Sequence, residues 1–248
     1  MKQKIPLMPL VFCLAMLAPQ SLFAMHIMEG FLPPAWCGFW GIIALPFIIL
    51  GMRSIRRTIA TNPKLKLLLA MVGAFAFALS ALKLPSLTGS CSHPTGVGLG
   101  AIMFGPTAMS VIGLLVLLFQ ALLLAHGGLT SLGANIVSMA IVGPITSYAI
   151  YRLSGWLRFK RSVAVFLAAF FGDMVTYITT ALQLGIAFPA ENGGIPVSMV
   201  KFLGIFAFTQ IPLAISEGIL TVFVFNALHA LAKEEMPDLH HLHAGAWK

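Results

Sequence analysis

Apolar runs long enough to cross a membrane recur along the chain, separated by short basic or glycine- and proline-rich segments. Within each run the hydrophobic positions are continuous, not alternating. Only helices or closed barrels satisfy backbone polar groups in hydrocarbon, and a barrel would show a period of two, so the runs predict membrane helices of about 17–25 residues. The pattern places spans near residues 36–52, 67–84, 129–152, 163–185 and 199–231, with a less regular apolar stretch between about 96 and 126.

Charge orders these spans. Arg53, Arg56, Arg57, Lys64 and Lys66 mark one cytoplasmic loop and Arg152, Arg158, Lys160 and Arg161 another, because basic loops stay inside. The span 67–84 then runs outward and delivers Ser90-Cys91-Ser92-His93 to the exterior. From there to Arg152 the chain must cross an odd number of times, and one crossing cannot absorb so long an apolar segment. Three fit, near 96–108, 109–126 and 129–152, the first short and bent at Gly105-Pro106, where proline removes a helical hydrogen bond. The expected fold is therefore all-α and polytopic, with about seven transmembrane helices after loss of a leader, the new N-terminus outside and the tail inside.

Composition excludes a soluble globular domain: 59% of the 248 residues are hydrophobic and 9% charged, with a mean hydropathy of +0.96. The net charge of +8 comes from short basic clusters between apolar runs. That arrangement suits lipid anchoring and orientation, not nucleic acid. Three cysteines, Cys13, Cys37 and Cys91, are too few for a disulfide scaffold, and a Cys37–Cys91 bridge stays open. The chain has no GxxxxGK[ST] loop for cradling nucleotide phosphates, so any ATP is hydrolysed elsewhere.

Residues 1–24 carry Lys2 and Lys4, an apolar middle and the ending Ser21-Leu22-Phe23-Ala24, the layout of a signal peptide, although Leu22 stands where a small residue is preferred. Residues 25–235 form the expected transmembrane metal-binding unit. Residues 236–248, with His240, His241 and His243, form a cytoplasmic C-terminal tail.

Cleavage after Ala24 gives the opening Met25-His26 a chemical use. The Met25 α-amine, the deprotonated amide nitrogen of His26 and His26 Nδ1 form a fused five- and six-membered chelate. One outside histidine would complete four nitrogens, and His93, which parity also places outside, is the candidate. Such a near-planar set favours Ni²⁺ or Cu²⁺ and accommodates Co²⁺. It fills with proton release, and without cleavage the amine donor is lost. A histidine at a membrane interface also serves as a plain polar anchor.

Glu29, Cys91, His126 and Asn135 are candidates for groups standing behind these ligands, orienting them by hydrogen bonds. Ala70, Ala74 and Ala78 form a small-residue stripe suited to close helix packing, within the chain or against a membrane partner. Asp173 and Glu217 lie in apolar spans, where a costly charge points to function, to the joining of helices or to contact with a partner protein. As a proton or ion relay they would make a secondary transporter, a reading that needs a continuous polar path. A membrane hydrolase lacks its HExxH pair.

The stretches "MHIMEGFLPP", "SALKLPSLTGSCSHPTGVGLGA", "LLFQALLLAHGGLTSLGAN" and "AVFLAAFFGDMVTYITTALQLGIAFP" resemble the CbiM family of cobalt transport proteins, with the nickel-specific NikM proteins as close relatives. The resemblance implies an S-component fold with an extra N-terminal helix. It implies the substrate-capture component of an energy-coupling-factor (ECF) ABC transporter importing Co²⁺ for cobalamin biosynthesis, with Ni²⁺ as the alternative cargo. Such a component is not an enzyme and has no catalytic cofactor. Its implied partners are a CbiQ-type coupling membrane protein, CbiO-type ATPase subunits that hydrolyse ATP and a small CbiN-type membrane protein. The implied ligands are the Met25 amine, the His26 amide and imidazole, and His93. The stripe of Ala70, Ala74 and Ala78 is the implied docking surface for the coupling protein. The implied location is the bacterial inner membrane, with a periplasmic mature N-terminus and a cytoplasmic C-terminus.

Overall fold

Proline and glycine cut the apolar chain into its helices. In a computed structural model, which describes residues 26–82, 84–85 and 91–231, α1 (Pro34–Thr61) begins on a proline, whose missing N–H costs nothing in a first turn. It stops at Asn62, held extended by Pro63 behind it. Then come α2 (Leu65–Ala81), a two-residue antiparallel pairing of β1 (Leu84–Pro85) with β2 (Cys91–Ser92), α3 (Val97–Phe104) and α4 (Pro106–Leu124). A short α5 (Leu132–Asn135) passes through a π-helical turn, Ile136–Val142, into α6 (Gly143–Trp156). The chain closes with α7 (Arg161–Ala187) and α8 (Gly194–Leu231). The expected leader at 1–24, Met25, and the tail at 236–248 lie outside the described residues.

Among the described residues, five helices are long and apolar enough to cross a membrane: Pro34–Thr61, Pro106–Leu124, Leu132–Trp156, Arg161–Ala187 and Ala207–Leu231. Helix α2, at 17 residues, is shorter. The crossing expected near 96–108 is not a spanning helix: α3 has eight residues, all buried, and covers about 12 Å. The break at Gly105-Pro106 ends α3 and starts α4, with Gly105 at φ 83°.

The shortness of α3 has a structural counterpart. Residues 92–96, which precede it, are also buried. At the other end Thr107 sits against Gly51, where a Cβ would come within 2.3 Å of its carbonyl oxygen. Gly51 is itself far along α1, so an irregular segment and a short helix together reach deep into the bundle. Such backbone is tolerated at membrane depth only when protein encloses it. Here α2, α4, α6 and α7 surround α3.

Small residues allow the close approaches. A Cβ on Gly98 would lie 2.9 Å from Ala169 Cα, and one on Gly172 would lie 1.9 Å from Ser147 Oγ. One face of α2 is buried through Leu65, Leu68, Leu69, Val72, Ala76 and Leu79. Ala70, Ala74 and Ala78 lie on the opposite, more exposed face. Ala70 and Ala74 line an apolar groove of about 490 Å³ between α1, α2 and α4.

The bundle has two chemically different ends. The C-termini of α1, α6 and α8 and the N-termini of α2 and α7 share the basic end, where Arg161 Nη1 donates to His229 Nε2 at 2.7 Å. The N-terminal segment, the loop before α3 and the α4–α5 loop meet at the other end.

Candidate metal centre

Three segments distant in sequence each bring one histidine to that second end. The first is the stretch 26–33, whose backbone has no helix of its own. Asn135 supplies what is missing: its Oδ1 accepts from Ile27 N at 2.9 Å and its Nδ2 donates to Ile27 O at 3.0 Å. Ser131 Oγ donates to the same carbonyl at 2.5 Å. Ile27 is thereby pinned, and His26 with it.

The second segment follows α4. Ala125 takes a left-handed conformation (φ 46°) and His126 N donates back to Gln120 O at 3.1 Å, a wide C-terminal turn that swings His126 inward. Gly127 (φ 77°) continues it, and a Cβ there would sit 3.4 Å from His26 Cβ and 3.3 Å from Asn135 Nδ2. The third segment is Ser92–Gly96, which carries His93 into the bundle.

The rings converge. His26 and His93 centroids are 4.4 Å apart, and His126 lies 4.8 Å from each. All three side chains are buried, and their potential ligand atoms lie within 4.8 Å of one another.

Hydrogen bonds orient two of the rings, His26 and His93. Ser80 Oγ donates to Ala76 O, so it accepts from Gln120 Nε2 at 2.6 Å, and Gln120 Oε1 is turned toward His26 Nε2 at 3.2 Å. His26 Nε2 must then donate, which leaves the lone pair on Nδ1, the atom a Met25-His26 chelate requires. His93 Nδ1 donates to Pro94 O at 3.0 Å, which places its lone pair on Nε2. Neutral imidazoles with inward lone pairs suit a divalent transition metal.

Of the expected outer groups, Asn135 bonds the backbone of Ile27, the residue after His26, and not the ring itself. Glu29 holds the loop instead of a ring: its exposed carboxylate accepts from Leu129 N at 2.5 Å and Thr130 N at 3.1 Å. Hydrogen bonds from Thr130, and then from Leu129, keep that carboxyl below the usual carboxylate range against an opposing effect of burial. The His126 ring packs beside both His26 and His93. Cys91 lies in β2, two residues before His93, and Cys37 is a free thiol donating to Leu32 O at 3.3 Å.

The two membrane acids are both fully buried. Asp173 Oδ2 accepts from Gln210 Nε2 at 2.6 Å, joining α7 to α8. Glu217 reaches the loop after His93. Sequence reasoning missed Gln120, Ser80 and Ser131. For Gln120 a signal existed: it is one amide within the apolar run Leu114–Leu124, where a polar side chain demands a partner.

A helical bundle of membrane-spanning length with three buried imidazoles at one end defines a polytopic membrane protein with a cluster that could hold a metal ion. The model of the family described as "Cobalt uptake substrate-specific transmembrane region" matches residues 26–235, and the chain belongs to that family. It is 62% identical to the cobalt transport protein CbiM of Chlorobium limicola over 92% of this chain and 89% of that one. It is 61% identical to that of Moorella thermoacetica, over 93% and 88%. Two crystal structures of a transition metal transporter, one truncated, superpose with TM-scores of 0.73 and 0.72 at 27% identity. They cover 89% and 84% of this chain, and 100% and 99% of theirs.

Proposed function

We propose that this chain is the substrate-capture component of an ECF-type ABC transporter that imports Co²⁺ for cobalamin biosynthesis. The observation that carries this reading is the convergence of His26, His93 and His126 in a buried cluster immediately after the point where a leader would be removed. Cleavage after Ala24 frees the Met25 amine. Amine, His26 amide, His26 Nδ1 and His93 Nε2 then give four nitrogen donors, and the tautomers set by Gln120 and Pro94 leave both imidazoles with a lone pair to donate. The cluster faces the periplasm and the basic end faces the cytoplasm, in keeping with the distribution of arginine and lysine. The mature chain crosses the inner membrane seven times, counting α2 and the segment that includes α3.

The chain hydrolyses nothing itself. A CbiQ-type coupling protein docks on the face of Ala70, Ala74 and Ala78, where the apolar groove offers a close-packing surface to a membrane helix. CbiO-type subunits supply ATP hydrolysis, and a CbiN-type small membrane protein completes the complex. Both Co²⁺ and Ni²⁺ tolerate four nitrogens, and the cobalt names of the close relatives favour Co²⁺.

Metal analysis of the purified chain, paired with N-terminal sequencing, tests the reading. Stoichiometric Co²⁺ on protein beginning at Met25, lost in His26→Ala and His93→Ala, is the expected result. Full occupancy in both variants, or functional protein that retains residues 1–24, overturns it.

A further inference from the structure

The segment carrying His93 runs irregularly between β2 and α3. Residues 93–96 form neither helix nor strand. They are buried in a bundle that spans lipid, where an unanswered N–H is costly. Two of the amides are answered from far away. Glu217, near the middle of the spanning part of α8, accepts from Thr95 N at 2.5 Å and Gly96 N at 3.0 Å. The same carboxylate accepts from Thr95 Oγ1 at 3.1 and 3.2 Å. These amides open α3, and a negative group at a helix start also meets the positive end of the helix.

On the other side of His93, Ser92 Oγ lies 2.7 Å from Thr209 Oγ1, also on α8. Thr209 and Glu217 are about 12 Å apart along α8. One helix therefore grips the chain before and after His93. Gly96 (φ 68°) leaves little room for the loop to settle elsewhere: a Cβ there would meet Ala76 Cα at 2.7 Å.

We infer that Glu217 is a positioning residue for His93, fixing the loop of residues 93–96 so that the imidazole closes the metal site. Its effect is carried by the loop backbone and not by contact with the metal. The inference rests on His93 being a ligand.

The test uses the full mature chain purified in detergent, with Co²⁺ alone as probe. Affinity, the ligand-field spectrum of the complex and thermal unfolding of the metal-free protein are measured for Glu217→Ala, Glu217→Gln and His93→Ala. Loss of two hydrogen bonds to the loop backbone should weaken Co²⁺ binding at least about tenfold in Glu217→Ala. The spectrum should shift toward that of His93→Ala. Glutamine keeps a carbonyl acceptor for one amide, so Glu217→Gln should fall between wild type and alanine while unfolding close to wild type. If alanine prevents folding, the glutamine variant alone decides.

Wild-type affinity and spectrum in Glu217→Gln overturn the inference. So does weakened binding with an unchanged spectrum, because the ligand set would then be intact and the loss general. Should His93→Ala itself bind like wild type, the assignment of the site fails. Weak binding in His93→Ala beside normal Glu217 variants refutes only the role given to Glu217.

Discussion

The two ends of the bundle handle polar groups in opposite ways. At the histidine end, polar side chains are buried and committed to particular partners. Asn135 and Ser131 hold Ile27, and Gln120 orients His26. At the basic end, charges are numerous and exposed, and the contact between Arg161 and His229 lies on the surface. Most of the charge of the molecule therefore lies where it sets orientation, and most of its specific chemistry lies where formal charge is scarce. Buried hydrogen bonds are costly to lose because no water replaces them, whereas exposed charged contacts contribute little. Substitutions should thus have steeply unequal effects at the two ends.

The largest effect should come from the rings. His26→Ala and His93→Ala each remove a proposed nitrogen donor, and Co²⁺ affinity should fall by more than the roughly 10–100-fold typical of losing an outer partner. Titration calorimetry on the mature chain measures this. Binding should also weaken in acid, as protons compete with the metal for its nitrogen donors. If affinity is flat from about pH 8 to about pH 5.5, neutral imidazoles are not the donors.

A smaller effect is expected one bond further out. Gln120→Leu keeps the volume of the side chain roughly constant but removes the acceptor that holds His26 Nε2–H, freeing the ring to present the wrong nitrogen. Co²⁺ affinity should drop about 10–100-fold, with stability falling by about 1–3 kcal/mol because Ser80 loses its donor inside the bundle. Ser80→Ala should then cause part of the same loss in affinity although it touches no ring. Wild-type binding in Gln120→Leu would show that the tautomer is set by something other than this chain of hydrogen bonds.

Smaller again is Glu29, at the rim of the histidine end. Its carboxyl titrates below the usual range because Thr130 and Leu129 bond to the charged form. A depressed folded-state value means that its support for the N-terminal segment is present above the ordinary carboxylate pKa and is lost as pH falls through the lowered one. Glu29→Gln should leave affinity within several-fold of wild type and remove that low-pH step in the unfolding temperature, since glutamine does not titrate. The carboxylate is exposed, so solvent screens the effect.

How much of this is legible in the sequence depends on the range of each signal. Apolar run length carries α2, α7 and α8 to within about five residues at each end, because lipid imposes it locally. His26 and His93 are legible through their chemical type and the parity of crossings. Helix α3 is shorter than the crossing expected there because run length counts apolar residues and does not see that residues 92–96 are irregular and enclosed. The partners of Gln120 and Glu217 are illegible for another reason. A hydrogen bond between residues 122 positions apart, as between Thr95 and Glu217, leaves no periodicity in a single chain. His126 stands out as a histidine at the end of a span, but its place among the rings depends on the left-handed turn at Ala125, which no residue preference announces at an alanine.

The basic end supplies the smallest expected effect and the sharpest test of the contrast. Arg161 and His229 meet at 2.7 Å, yet Arg161 is exposed and His229 only partly covered. Water and lipid headgroups can replace the lost partner, so Arg161→Gln should change unfolding free energy by no more than about 1 kcal/mol. Co²⁺ affinity should be unchanged, because the histidine cluster lies at the opposite end of α7. Its measurable consequence should be topological: with Arg152, Arg158 and Lys160 still present, a single substitution keeps the loop inside, whereas replacing all four basic residues should weaken retention. Reporter fusions placed in that loop read the outcome. A marked loss of Co²⁺ binding in Arg161→Gln would show that the ends are coupled through α7, and the division between them would no longer hold.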